Sequence, residues 1–197
     1  MRELSLHILD IAENGITAGA DCIQILVDEN RRQDLLTLAV TDNGRGMPAE
    51  KLNHPTDPFI TSRTTRRVGM GLSLLAAAAE RCDGKLEIET EAGQGTRVAA
   101  TFRYSHIDRA PVGDMAATIT TLILGNPGID FVYTHIIDGA EFTLDTRDLR
   151  EGPTDNSLAD PVLLQRLTQS IRDALNRLAS NDGAFEPTEE NNGKIDD

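Results

Sequence analysis

Asp10 and Asn14 stand four residues apart in LHILDIAENGITAGAD. That is one helical turn, so a carboxylate and an amide oxygen point from one helix face into the same space. The same spacing also describes the solvated polar face of an amphipathic helix, and Glu13 beside them fits that description too. In VTDNGRGM, Asp42 ends an apolar run just before Gly44 and Gly46, which let backbone come close to a ligand. DNG is equally a tight turn. In RVGMGLSLL, Gly69 and Gly71 open a helical run, where free N–H groups and the positive end of the helix dipole suit phosphate oxygens. A bare G-x-G is weak on its own, and Thr96 in EAGQGTRVA is by itself an ordinary strand residue.

The elements that must hold these residues follow from the apolar periods. Residues 4–18 form a helix with Leu4, Ile8, Ile11 and Ala12 on one side and Asp10, Glu13, Asn14 and Thr17 on the other. CIQILVD and LLTLAVT are strands joined by the polar linker ENRRQ. Residues 53–68 show no period and carry two prolines and several cations, which predicts a mobile loop. A helix from Gly71 to about Arg81 precedes a hairpin, KLEIETE and TRVAATF, turned by AGQG. Beyond it come a helix over about 114–124, an NPG break, a DG-turned hairpin, and a long helix. Asp160 caps that helix, Pro161 takes its first position, and Leu163, Leu164, Leu167, Ile171, Leu175 and Leu178 form its stripe. The tail GAFEPTEENNGKIDD is acidic and poor in apolar residues, which predicts disorder.

At 197 residues the chain can bury a real core, and its net charge of −13 argues against a nucleic-acid surface. The longest apolar stretch, LSLLAAAA, is far too short for a membrane span, and MRELSLHILD places acids inside what would be a signal core. A soluble cytoplasmic protein is expected. Cys22 and Cys82 lie far apart without C-x-x-C spacing, so reduced, buried thiols are expected rather than a metal site.

In order and spacing the four boxes resemble the GHKL ATPase superfamily of DNA gyrase B subunits, heat-shock chaperones, sensor histidine kinases and MutL-type mismatch-repair proteins. The resemblance covers about residues 1–103. It implies a Bergerat-type α/β (α+β) sandwich, a mixed sheet covered on one face by helices, that binds ATP with Mg2+. It makes Asn14 the Mg2+ ligand, for which one hard oxygen suffices beside phosphates and waters. It places Asp10 where hydrolytic members carry a Glu base, so the reach is shorter by one methylene. Asp42 then accepts from the adenine amino group, Gly44 and Gly46 shape the pocket floor, Met47 lies against the base, and Thr96 joins the water network beside Asp42. Gly69, Met70, Gly71 and Leu72 form the phosphate-facing helix start. DPFITSRTTRR resembles the phenylalanine box and ATP lid of histidine kinases. Phe59, Ser62 and Arg63 come from that stretch, Arg63 being either a fork for the terminal phosphate or a solvated loop residue.

The expected organisation is an ATP-binding domain over 1–103, a small C-terminal α-β-β-α extension over 104–182, and the tail over 183–197. The expected organisation holds no helical hairpin with a phosphoacceptor His ahead of the first box, and His7, His54, His106 and His135 lie in no such context. The segment 106–180 contains no lysine to sense a terminal phosphate. Two functions remain open: a slow histidine-kinase-like kinase or ATPase acting on a partner protein, and a noncatalytic, nucleotide-gated binding module comparable to an anti-sigma partner switch. The whole chain, including SHIDRAPVGDMAATITTLI, also resembles small ATP-binding proteins encoded beside iron-hydrogenase genes in anaerobic bacteria. That resemblance implies a regulatory role towards a protein partner, with a homodimer also open.

Overall fold

In the computed structural model, residues 3–46, 70–150, 158 and 160–180 are described. In chain order the elements are α1 (Leu4–Thr17), β1 (Cys22–Asn30), β2 (Leu35–Asp42), α2 (Met70–Arg81), β3 (Leu86–Glu91) and β4 (Gly95–Arg103). They continue with α3 (Met115–Gly125), β5 (Asp130–Ile137), β6 (Ala140–Asp145), α4 (Thr146–Arg150) and α5 (Pro161–Ser180). The six strands form one sheet in the order β3-β4-β2-β1-β5-β6. Every neighbouring pair is antiparallel except β1 and β5, which run parallel from Cys22 beside Asp130 to Glu29 beside Ile137.

Strand side chains alternate between faces. Ile23, Ile25, Val27, Leu36, Leu38, Val40, Phe131 and Tyr133 share the buried face. Against it pack Leu4, Ile8 and Ala12 of α1, Leu75 and Ala79 of α2, Ile119 and Leu122 of α3, and Leu167 and Ile171 of α5. The mixed sheet with one helix-covered face agrees with the expected fold class. The extension does not make a sheet of its own. Its β5–β6 hairpin completes the sheet begun by β1, β2, β3 and β4.

Local chemistry explains the ends. Asp114 caps α3 through an Ala117 N–H bond of 2.9 Å, and Asp160 caps α5 through Val162 N–H at 2.7 Å. Asp138 and Gly139, at φ of 49° and 90°, make the two-residue turn between β5 and β6. One strand is longer than its apolar run. β1 continues through Glu29 and Asn30, opposite Leu36 and Leu35, because Glu29 is taken up by a buried partner. His135 Nε2 lies 2.9 Å from the Glu29 carboxylate, and His135 Nδ1 lies 2.6 Å from the Tyr133 hydroxyl. The predicted loop over 53–68 and the tail over 183–197 fall outside the described residues.

Candidate functional site

The site forms where β1 begins and β2 ends. Asp42 is the last residue of β2 and belongs to the parity that faces the helices, so its carboxylate enters the core edge rather than solvent. Only 9% of it is exposed. Burial pushes its carboxyl above the ordinary range, while the amides of Gly44 and Thr96 pull the other way. The Gly44 N–H donates to Asp42 Oδ1 at 2.9 Å. A carboxylate held this way keeps little water and still has lone pairs to spend on a donor arriving from outside.

Missing side chains make the room around Asp42. A Cβ on Gly15, in the last turn of α1, would stand 2.7 Å from Asp42 Cβ and 2.9 Å from Ile23 Cδ1. A Cβ on Gly44 would meet Ala18 and the Asp42 carboxylate, each at 3.0 Å. Gly46 (φ 66°) and Gly95 (φ 98°) adopt a backbone that L side chains rarely take, and a Cβ there would overlap the Glu91 and Asp42 carbonyls. The turn after Asp42 is tied on both sides. The Arg45 N–H donates to Ala18 O at 3.1 Å, and the Gly93 N–H donates to Arg45 O at 2.9 Å.

α1 supplies the adjoining wall. Asn14 precedes Gly15 and is half-buried, as is Asp10 one turn earlier. Asp10 Oδ2 is 3.3 Å from the place a Gly71 Cβ would take, so the Asp10 carboxyl rests against the first turn of α2. Leu72 is half-buried and packs on the core from that turn, whose first residue is Met70. Thr96 lies opposite Asp42 in the β2–β4 register, and its hydroxyl is 3.1 Å from that of Thr90. Asp10, Asn14, Asp42, Gly44, Gly46, Gly71, Leu72 and Thr96 thus gather around one corner of the fold. Met47, Phe59, Ser62, Arg63 and Gly69 lie outside the described residues.

Three contributors escaped the sequence reading. Gly15 left one signal, a glycine inside a helix where alanine is favoured by about 1 kcal/mol. Asn43 reads as a turn residue, yet its Oδ1 accepts from the Asp21 and Cys22 N–H groups at 3.0 and 3.1 Å and so fastens β1 to the end of β2. Gly95 reads as part of the AGQG turn, whereas it opens β4 beside Asp42.

Gly15→Ala is expected to destabilise the protein by about 1–3 kcal/mol, because the new methyl must displace Asp42 or Ile23. Thermal melting checks the loss. Nucleotide titration of the same variant checks whether Asp42 has moved, and an unchanged melting temperature would contradict the close packing.

A mixed sheet covered by helices on one face, with a buried acid among closely packed glycines at its strand ends, defines an α/β domain of the expected class. Residues 2–106, more than half of the chain, match the family described as histidine kinase-, DNA gyrase B- and HSP90-like ATPase. The chain belongs to that family and carries an ATP-binding, histidine-kinase-like ATPase domain. It is 31% identical over 125 residues to the non-motile and phage-resistance protein of Caulobacter vibrioides, covering 59% of this chain and 15% of that protein. It is 31% identical over 94 residues to sporulation kinase C of Bacillus subtilis, covering 48% of this chain and 22% of the kinase. A putative sensor histidine kinase NtrY-like of Rickettsia conorii is 26% identical over 108 residues, covering 55% of this chain and 18% of that one. The chain therefore spans under a quarter of the length of each of these relatives. Among solved structures, the N-terminal domain of a DNA repair protein shares the fold at a TM-score of 0.55 and 16% identity, over 80% of this chain and 55% of that one. Among the described residues no helix is long and apolar enough to cross a membrane.

Proposed function

We propose that this chain is an ATP-binding regulatory protein that transfers phosphate to, or switches, a protein partner. The observation that carries this is Asp42, a nearly buried carboxylate at a strand end, with a raised pKa and a socket built from glycines. An adenine amino group is a donor that such an acceptor satisfies, whereas the guanine oxygen at the same place is not. The residues present fit Mg-ATP. Asp42, Gly44, Gly46 and Thr96 would hold the base, and the start of α2 at Met70, Gly71 and Leu72 would face the phosphates. Gly69, Met47, Phe59, Ser62 and Arg63 are assigned to the same ligand from the sequence resemblance alone. When bound, the nucleotide supplies the transferable phosphoryl group.

Asn14, which the sequence resemblance makes the Mg2+ ligand, is half-buried on α1 one turn from Asp10 and next to Gly15 at the Asp42 socket, which supports that assignment. Asn14→Ala is expected to remove most of the Mg2+ dependence of nucleotide binding and to change metal-free binding little. ATP titrations with and without Mg2+ separate the two, and equal losses in both would make Asn14 a structural residue.

Asp10 lies against the first turn of α2, which supports a role in orienting a group at the phosphate end. Its reach is one methylene shorter than that of glutamate, which supports slow unaided turnover. Turnover on the order of 1 per second or faster by the isolated chain would contradict this.

The noncatalytic switch has its own support. Asn43, next to Asp42, holds the start of β1, and the Asp21 carbonyl there accepts from the Asp130 N–H of β5 at 2.9 Å. A ligand at Asp42 thus touches the same end of the sheet that seats the extension. ADP release measured with and without a candidate partner distinguishes transfer from switching. A role towards hydrogenase-related partners rests on the sequence resemblance alone.

A further inference from the structure

Among the described residues β6 is the last strand of the sheet and pairs with β5 alone. Its two-residue turn makes Ile137 and Ala140 a hydrogen-bonded pair, and such pairs alternate along an antiparallel ladder. Ala140, Phe142 and Leu144 therefore spend their backbone groups on β5. Glu141, Thr143 and Asp145 aim their N–H and C=O groups outward, away from the sheet. The strand has no proline, lysine or glycine to blunt that edge.

Beside the edge, α5 leaves a cleft of about 500 Å³. Its apolar walls are Phe142 on the strand and Ala174 and Leu178 on the helix, with Glu141 and Arg177 adding one charge of each sign. An edge strand lying next to a helix-walled apolar cleft is the arrangement that accepts an added strand. Main-chain hydrogen bonds then hold the backbone, and a pocket selects one side chain.

The geometry points to β6 and α5 as a docking groove for an extended segment of a partner protein that adds a strand to β6 and seats an apolar side chain between Phe142 and Leu178. Charge argues for a foreign segment over a second copy. Antiparallel self-pairing centred on Thr143 sets Glu141 opposite Asp145 of the other copy, an acid already held by its own Arg147, so a second copy brings Glu141 no base to pair with. The last residues of this chain are a poor occupant too, because the run after Ser180 carries six acids against one lysine and the rest of the chain is itself net negative. A segment with a base beside Glu141 and an acid beside Arg177 matches both. The groove lies away from the nucleotide corner, so this inference stands or falls separately from the ATP assignment.

The test is a displayed library of random linear peptides selected on the full-length protein, followed by fluorescence anisotropy with the enriched peptides. Two variants report on the groove. Thr143→Pro removes one outward N–H at an edge where proline is tolerated, and Leu178→Lys charges the cleft. Melting curves and ATP titration confirm that both variants remain folded. The expected result is enriched peptides sharing an apolar residue, with affinity at least tenfold weaker on each folded variant. The proposal is overturned if no peptide is enriched or if enriched peptides bind both variants like wild type. Peptide binding that appears only after truncation at Ser180 would give the groove to the chain's own end. Self-association that Thr143→Pro abolishes would give it to a second copy.

Discussion

Asp42→Asn is expected to weaken ATP binding roughly ten- to a hundredfold while leaving the melting temperature unchanged or higher. Loss of a charged acceptor facing a buried donor costs about 1.5–3 kcal/mol, which converts to that range of affinity. Stability moves the other way because burial holds the Asp42 carboxyl above its ordinary range, so the charged form is a cost to the empty protein at neutral pH. The signs are linked. A carboxyl with a raised folded pKa costs stability as pH rises through that value, and the same protonation removes the acceptor as pH falls. ATP affinity is therefore expected to decline on acidification from a pH above the usual carboxylate range, and the decline should be absent in Asp42→Asn. Calorimetry across pH on both proteins checks this. A variant that loses stability and keeps its affinity would make Asp42 a structural acid.

The second large effect lies at the opposite end of β1. His135→Phe is expected to destabilise the protein by about 3–5 kcal/mol, because it strands the Glu29 carboxylate and the Tyr133 hydroxyl in the core. Glu29 has 14% of its side chain exposed and His135 has 4%. Burial alone would raise the Glu29 carboxyl, but the His135 hydrogen bond, the His135 charge and the nearby Arg31 and Arg109 hold it below the usual range. Burial also lifts the Tyr133 hydroxyl far above its ordinary value, so it stays protonated at any working pH. A depressed carboxylate gives stability that is present above the unfolded value and lost as pH falls through the folded one. Wild-type melting should therefore fall on acidification below the ordinary carboxylate range, with a shallower fall in His135→Phe. Urea unfolding at neutral and acid pH measures both, and a loss under about 1 kcal/mol would show the pair to be dispensable.

The elements carrying the site were legible because each has an uninterrupted period and its own stop signal. Glycine turns bound β2, β3 and β4, and away from the site the Asp160 cap marks the start of α5, whereas the Asp114 cap of α3 emerged only from the structure. The sheet order was not legible. Cys22 pairs in parallel with Asp130, and a crossover connection of that length leaves no local pattern in either strand. Glu29 read as linker because a buried charge looks like a solvated one until its partner is known. At the site, residues with chemistry were visible and residues that supply space were not. Asp10, Asn14 and Asp42 carry polar atoms at telling spacings, whereas Gly15 matters only because Asp42 arrives where its side chain would be. Asn43 hid within a turn triplet while fastening two strands together.

The central assignment is that the Asp42 socket reads adenine, and titrating the full-length protein with ATP and with GTP in the presence of Mg2+ tests it most directly. The expected result is submillimolar ATP binding and at least tenfold weaker GTP binding, a difference of about 1.4 kcal/mol or more. Equal affinity for the two nucleotides, or no binding of either, would contradict it.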